Sequence, residues 1–123
     1  HGFFNNRGEP FEILVDYIMC LNSLNEPVNE YVSNQHISDS FEEILDAMVY
    51  ELYFSRDFLE KNLEFISHVS NEYKSIENKE LSKKIEIINQ TYTTLKEPFN
   101  KIRNNLMLID TELQDIISFI KKM

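Results

Sequence analysis

The sequence is poor in the residues that form turns, cross-links and phosphate-binding loops. Among its 123 residues there are two glycines, three prolines, one cysteine and no tryptophan. So few glycines and prolines are atypical of a chain rich in strands and turns, which favours an all-α fold. Gly2 and Gly8 alone cannot build a glycine-rich phosphate loop. No apolar run reaches the ~18 residues of a transmembrane helix, so we expect no membrane partner.

The single cysteine, Cys20, excludes an internal disulfide and is typical of a reducing compartment, so we expect a cytoplasmic protein. Cys20 lies in the apolar run YIMCL, which favours a buried structural thiol over a reactive one. His36, which we place in a loop, and His68 lack the spaced partners that a metal site needs. The sequence therefore predicts no catalytic, cofactor-binding or metal-binding residue.

Negative charge is concentrated in the first half of the chain. Residues 1–61 hold three Lys or Arg against twelve Asp or Glu, whereas residues 62–123 hold nine of each. Because the acidic half would repel phosphate, any contact with a DNA backbone must come from the second half. The candidates for such contacts are Lys83, Lys84, Lys101 and Arg103. Ordinary surface charge is the alternative explanation for each of them.

The clearest helical pattern is SFEEILDAMVYELYF, residues 40–54. Its apolar residues recur at the i, i+3, i+4, i+7 spacing of one helical face. Ser40 followed by Glu43 has the form of a capping box, which predicts that the helix begins there. The segment VYELYF alternates as a strand would, but the unbroken helical period from Phe41 argues against a strand.

Further helices follow from the same periodicity, separated by polar stretches and by Pro98. We expect residues 1–8 to be an entry segment, Glu9-Pro10 to open the first helix, and residues 25–39 to be a loop or linker. Asp110 with Thr111 is a candidate cap for the last helix. The predicted helices cover residues 9–24, 40–54, 55–69, 80–95, 102–110 and 113–122. Together they predict a single domain over residues 1–123, an irregular antiparallel bundle of five to six helices.

Three stretches in order resemble one protein family. FEEILDAMVYELYF (41–54), EPFEILVDYIM (9–19) and PFNKIRNNLMLID (98–110) are similar to segments near the C-terminus of type II restriction–modification DNA methylases. These are adenine-specific methyltransferases with a TaqI-like specificity domain, some of them fused to an endonuclease. The first of the three stretches is the most specific.

The resemblance implies that this chain is a C-terminal fragment of a larger enzyme. It implies a non-catalytic helical domain that braces the target-recognition domain and assists DNA recognition. Tyr50, Glu51 and Tyr53 would then lie at a helix–helix or interdomain contact. The family's glycine-rich cofactor strand and its Asn/Asp-Pro-Pro-Tyr motif are absent from these residues, so no catalytic residue is carried over.

The partners and cofactors implied by the resemblance belong to the parent protein. The parent would bind DNA and S-adenosylmethionine, and Mg²⁺ if it also cleaves DNA. This chain would contact the parent's own recognition and methyltransferase domains. The alternative function is a helical protein–protein interaction or dimerisation module, which would make the protein a homo-oligomer. A third hypothesis, an independent enzyme, has no catalytic constellation to support it.

Overall fold

The computed structural model confirms the all-α class. It describes residues 2–122, and for residues 2–8, 117, 119 and 121 it describes the backbone alone. This part of the chain has seven helices and no strand. The helices are α1 (Gly2–Ser23), α2 (Asn34–Tyr53), α3 (Ser55–Glu60), α4 (Ile66–Glu72), α5 (Leu81–Leu95), α6 (Lys101–Glu112) and α7 (Gln114–Lys122). No described helix is both long enough and apolar enough to cross a membrane.

The first helix begins well before the predicted start at Glu9-Pro10. The backbone of residues 2–8 is already helical, so the predicted entry segment forms the first turns of α1. Pro10 therefore lies inside the helix, where it lacks the N–H that would bond to the carbonyl of Asn6. The Pro10 ring is buried, together with Ile13 and Tyr17 on the core side of α1. Burial of this ring favours a helix through Pro10 despite the missing hydrogen bond.

The second helix also begins earlier than predicted, at Asn34 rather than after Ser40. Ser33 is its N-cap, and the Ser33 hydroxyl accepts a hydrogen bond from the His36 N–H at 3.1 Å. His36 is therefore in the first turn of a helix and not in a loop. Ile37, fully buried, extends the apolar face one turn towards the N-terminus of Phe41. Ser40 is inside the helix and donates to the His36 carbonyl at 3.0 Å, so the prediction of a capping box at Ser40 is wrong.

The predicted loop over residues 25–39 is correspondingly shorter, because residues 34–39 are helical. The side chains of Asn29 and Asn34 stabilise the remaining loop through hydrogen bonds to its backbone. Asn34 accepts from the Val28 N–H at 2.9 Å and donates to the Glu26 carbonyl at 2.9 Å, while the Asn29 side chain accepts from Tyr31 and Val32. These side-chain bonds replace the missing secondary structure. The connection between α1 and α2 is therefore a loop stabilised by hydrogen bonds and not a linker.

The helix predicted over residues 55–69 is two helices, α3 and α4. Asn62 adopts a left-handed conformation, with φ of 57°. Leu63 N–H bonds to the Phe58 carbonyl at 2.9 Å and Asn62 N–H to the Leu59 carbonyl at 3.1 Å. This pair of bonds is the Schellman motif that ends an α-helix. The apolar spacing continues through the break, which is why the sequence alone did not reveal it.

The later boundaries agree better with the sequence. Helix α5 begins after Glu80 and ends at Leu95, as predicted, and a turn containing Pro98 follows. Asn100 caps α6 by accepting from the Arg103 N–H at 3.0 Å. Helix α6 runs through Asp110 and Thr111 to Glu112, so these two residues do not cap the last helix.

The core is centred on three aromatic rings from different parts of the chain. Tyr17 of α1 contacts Phe41 of α2 edge-on, with ring centroids 5.3 Å apart. Tyr73, just after α4, stacks against Tyr17 at 6.1 Å and meets Phe41 at 6.3 Å. The Tyr17 hydroxyl donates to the Lys74 carbonyl, which fixes the end of α4 to α1. Aromatic pairs in this geometry add to the stabilisation from burial alone.

Candidate interdomain surface

The segment VYELYF ends α2 and presents different residues to opposite sides of the helix. Glu51 points into the fold and is 9% exposed. Its Oε1 accepts hydrogen bonds from the N–H groups of Phe65 at 2.7 Å and Ile66 at 2.9 Å. These N–H groups open α4, whose own N-cap residue supplies no side-chain hydrogen bond. A carboxylate from α2 therefore caps a helix fourteen residues further along the chain.

The electrostatic environment of Glu51 is mixed. Burial raises the pKa of its carboxyl above the ordinary value, and the two backbone N–H groups oppose that shift. The nearby charge of Glu64 raises the pKa further, while His68 lowers it. His68 also lies 3.5 Å from the Glu72 carboxylate on α4. Glu51 thus makes a helix–helix contact within the chain, and the interdomain contact stays a prediction.

A second polar residue holds the same connection from the other side. Asn105 of α6 is 1% exposed, and its Nδ2 donates to the Glu64 carbonyl at 2.9 Å. The α3–α4 connection is thus fixed by a carboxylate from α2 and an amide from α6. Our sequence reasoning missed Asn105. The available signal was its spacing from Ile102 and Ile109, which places it on the apolar face of α6.

The two tyrosines of the segment are exposed to different extents. Tyr50 is half-buried and borders a shallow groove shared with Asp46 on α2 and Asp110 on α6. Tyr53 is 79% exposed. It completes a row of apolar residues at i, i+4, i+7 and i+8 on α2, whose first member is half-buried against the core and whose later members are exposed. We call this row the outer stripe of α2; its members are Leu45, Val49, Leu52 and Tyr53.

The four basic candidates do not share one surface. Lys83 and Lys84 are in the first turn of α5, and Lys101 and Arg103 are in the first turn of α6. Helix α5 rises roughly 16 Å between Lys84 and its end at Leu95, since an α-helix rises ~1.5 Å per residue. Lys83 lies 3.5 Å from Glu86, with both groups largely exposed.

Arg103 is also engaged within the chain. Its Nη1 is 3.5 Å from the Pro98 carbonyl and 3.3 Å from Asn104 Oδ1. Lys101 is exposed. The structure thus supplies two small basic sites, one at each end of α5, and no continuous positive groove formed by these four residues.

Cys20 is half-buried, whereas the sequence favoured a buried structural thiol. It borders a groove between α1 and the start of α5, with Met19, Leu81 and Lys84 among the lining residues. Burial raises the pKa of its thiol, and the charge of Lys84 opposes that shift. A raised pKa keeps the sulfur protonated at neutral pH, which is the opposite of an activated nucleophile.

No metal centre is evident among the residues that the structure describes, because no three His, Cys, Asp or Glu side chains there could hold an ion together. No protein-family model matches the chain, and no curated protein and no solved structure matches it either. The case for a function therefore depends on the three resembling segments and on the surfaces described above.

Proposed function

We propose that this chain is the non-catalytic C-terminal helical domain of a DNA restriction–modification methyltransferase. There it braces the target-recognition domain and assists DNA recognition. One observation carries the proposal: the segment 49–54, which bears the most specific resemblance, has two uses. Its Glu51 is buried and caps the start of α4. Its Leu52 and Tyr53 are exposed, so they are available for contact with a neighbouring domain.

The charge distribution supports bracing over direct DNA binding. The outer stripe lies in the half of the chain that carries the whole net charge of −9, and that half repels phosphate. The two basic sites at the ends of α5 would add secondary backbone contacts, which position a protein on DNA without reading its sequence. In this proposal DNA, S-adenosylmethionine and any Mg²⁺ are bound by the parent enzyme, which works in the cytoplasm.

The proposal is tested by removing the domain from the protein encoded by the complete reading frame. We expect a version that ends before His1 to lose about tenfold or more in DNA affinity, equivalent to ~1.4 kcal/mol. The isolated chain should transfer no methyl group from S-adenosylmethionine to DNA. Unchanged DNA affinity and methyl transfer after the deletion would show that the domain braces nothing.

A dimerisation module is the second candidate, and the exposed outer stripe is the observation that favours it. The open end of this row, where Leu52 is 57% and Tyr53 is 79% exposed, can be covered by a second chain. Sedimentation velocity of the isolated chain separates the two functions. A monomer at high concentration removes the dimerisation module, whereas a dimer that the substitution Leu52→Ser dissociates supports it over the bracing role.

A further inference from the structure

The helical hairpin that carries the outer stripe has charges of one sign only. Between Arg7 and Arg56 the chain contains ten Asp or Glu and no Lys or Arg. Helices α1 and α2 form the largest helix pair of the fold and fall almost entirely within this stretch. Glu51 is buried and hydrogen-bonded to the start of α4, but most of the other carboxylates are exposed. Helix α2 therefore carries no Lys or Arg, and the nearest basic residue along the chain is Arg56, three residues after Tyr53.

Two of these carboxylates flank the stripe directly. Glu42 precedes Leu45 by three residues and Asp46 precedes Val49 by three, so each pair lies one turn apart on α2. Both carboxylates are exposed. Towards the C-terminal end of the helix the apolar part is the most open, since Leu52 is 57% and Tyr53 is 79% exposed. The result is an apolar row with a negative edge.

We propose that the outer stripe binds a cationic amphipathic helix. The apolar face of that helix would cover Leu52 and Tyr53, and its Lys or Arg residues would pair with Glu42 and Asp46. This inference rests on the proposed function, because in the intact enzyme the helix would belong to the neighbouring recognition domain. We expect a helical partner because a row at i, i+4, i+7 and i+8 forms a ridge that can pack into the groove of a second helix.

Charge complementarity decides among the other occupants. A second copy of this chain would bring a second hairpin, with ten carboxylates and no Lys or Arg between Arg7 and Arg56, against this one, which is repulsive overall. Nucleic acid and anionic lipid are repelled by the same groups. A cationic partner gains from every one of these charges and leaves the apolar row covered.

The test uses the full 123-residue chain and a fluorescently labelled synthetic peptide. The probe is a Leu/Lys helix of about 18 residues, long enough to cover five turns at ~3.6 residues each, with leucines along one face. One control peptide has glutamate in place of lysine. Another has the composition of the probe in an order that has no apolar face. Fluorescence anisotropy gives the dissociation constants at low and high salt.

Two protein variants probe the two features of the surface. Leu52→Ser with Tyr53→Ser removes apolar area, and Asp46→Lys reverses a charge at the edge. The matched control is Met107→Ser with Leu108→Ser on α6, whose side chains are 65% and 44% exposed. Circular dichroism of each variant verifies the fold, which these exposed substitutions should leave intact.

We expect the cationic helix to bind with a Kd below ~100 µM, and the glutamate and reordered peptides to bind at least ten times more weakly. The Leu52/Tyr53 variant should lose tenfold or more, and Asp46→Lys about threefold at low salt, with a smaller effect at high salt. The control variant should bind as the unaltered chain does. Equal binding of the reordered peptide, equal binding of the glutamate peptide, or no binding of the probe would each overturn the proposal.

The outcome is independent of the test of the proposed function. If the parent proves not to be a methyltransferase while the cationic helix binds at Leu52 and Tyr53, the partner chemistry stands and the enzyme assignment fails. If the deletion in the parent weakens DNA binding but the peptide does not bind, the bracing role stands and the cationic partner fails. A concentration-dependent dimer lost in the Leu52/Tyr53 variant would identify a second copy as the occupant, against the proposal.

Discussion

At the scale of single residues, Glu51 is the side chain that connects the end of α2 to the start of α4. Its carboxylate is removed from water yet accepts two hydrogen bonds from the start of α4. Burying a carboxylate costs free energy unless hydrogen bonds replace its hydration. Here those bonds also satisfy two N–H groups that the short helix α4 leaves unbonded. Glu51 therefore joins α2 to α4 at a point where no apolar contact could do the same.

Replacing Glu51 tests this role. Glu51→Ala leaves one buried and one partly buried N–H group without an acceptor, and we expect a loss of about 2–4 kcal/mol in the free energy of unfolding. Glu51→Gln keeps one oxygen acceptor and should lose less than half as much. Urea unfolding followed by circular dichroism measures both variants. Equal stability of Glu51→Ala and the unaltered chain would contradict the capping role.

The same residue makes stability depend on pH. Burial raises the pKa of Glu51 above its ordinary value of 4.5, so between the two pKa values the folded state holds a proton that the unfolded state has lost. The contribution of this group is fully present below the unfolded pKa and is lost as pH rises through the folded one. We expect the unaltered chain to lose stability relative to Glu51→Gln as pH rises through this window.

Urea unfolding of both proteins at a series of pH values gives that difference, in which the titrations of other groups largely cancel. A difference that grows in favour of the unaltered chain as pH rises would mean that the two N–H groups outweigh burial. It would contradict the raised pKa.

At the scale of elements, some helix boundaries are set by residues next to the boundary and others by contacts with distant helices. Only the boundaries set by neighbouring residues can be predicted from the sequence. Asn100 and Glu80 lie next to clear periodic segments, so the starts of α5 and α6 were predictable. Ser33 and Ser40 offer equivalent hydroxyls, and periodicity alone did not choose between them. The break at Asn62 combines a local left-handed residue with Glu51 and Asn105, which come from remote helices.

The left-handed conformation of Asn62 predicts the effect of replacing it. Asn62→Ala should destabilise the fold by about 1 kcal/mol, because a Cβ without a polar group disfavours this region. Asn62→Gly should be neutral or stabilising, since glycine adopts positive φ freely. Asn71→Ala, at an exposed position inside α4, is the matched control and should have little effect. Thermal unfolding that ranks alanine above glycine at position 62 would contradict the Schellman motif.

The start of α2 can be tested with a pair of serines. Ser33→Ala removes the side-chain acceptor for the His36 N–H and should cost about 1 kcal/mol. Ser40→Ala removes only a bond to a carbonyl that is already within the helix, and should cost less. The two variants are compared by urea unfolding. A larger loss at Ser40 would restore the start predicted from the sequence.

At the scale of the whole molecule, an acidic first half that contains the two longest helices packs against an electrically neutral second half. Composition and helical periodicity were sufficient to predict the all-α class, and the charge asymmetry follows directly from the positions of the charged residues in the sequence. The sequence did not predict which residues of VYELYF face the core and which face solvent. Which side of α2 receives Glu51 depends on where α4 packs, and that is a property of the assembled chain.

We propose that this domain belongs to a DNA restriction–modification methyltransferase. The most direct measurement is the nucleotide sequence of the reading frame upstream of the codon for His1. We expect an upstream methyltransferase core with an Asn/Asp-Pro-Pro-Tyr motif, followed by a target-recognition domain. A start codon immediately before His1 would contradict it, and the helical protein-interaction module would become the leading function.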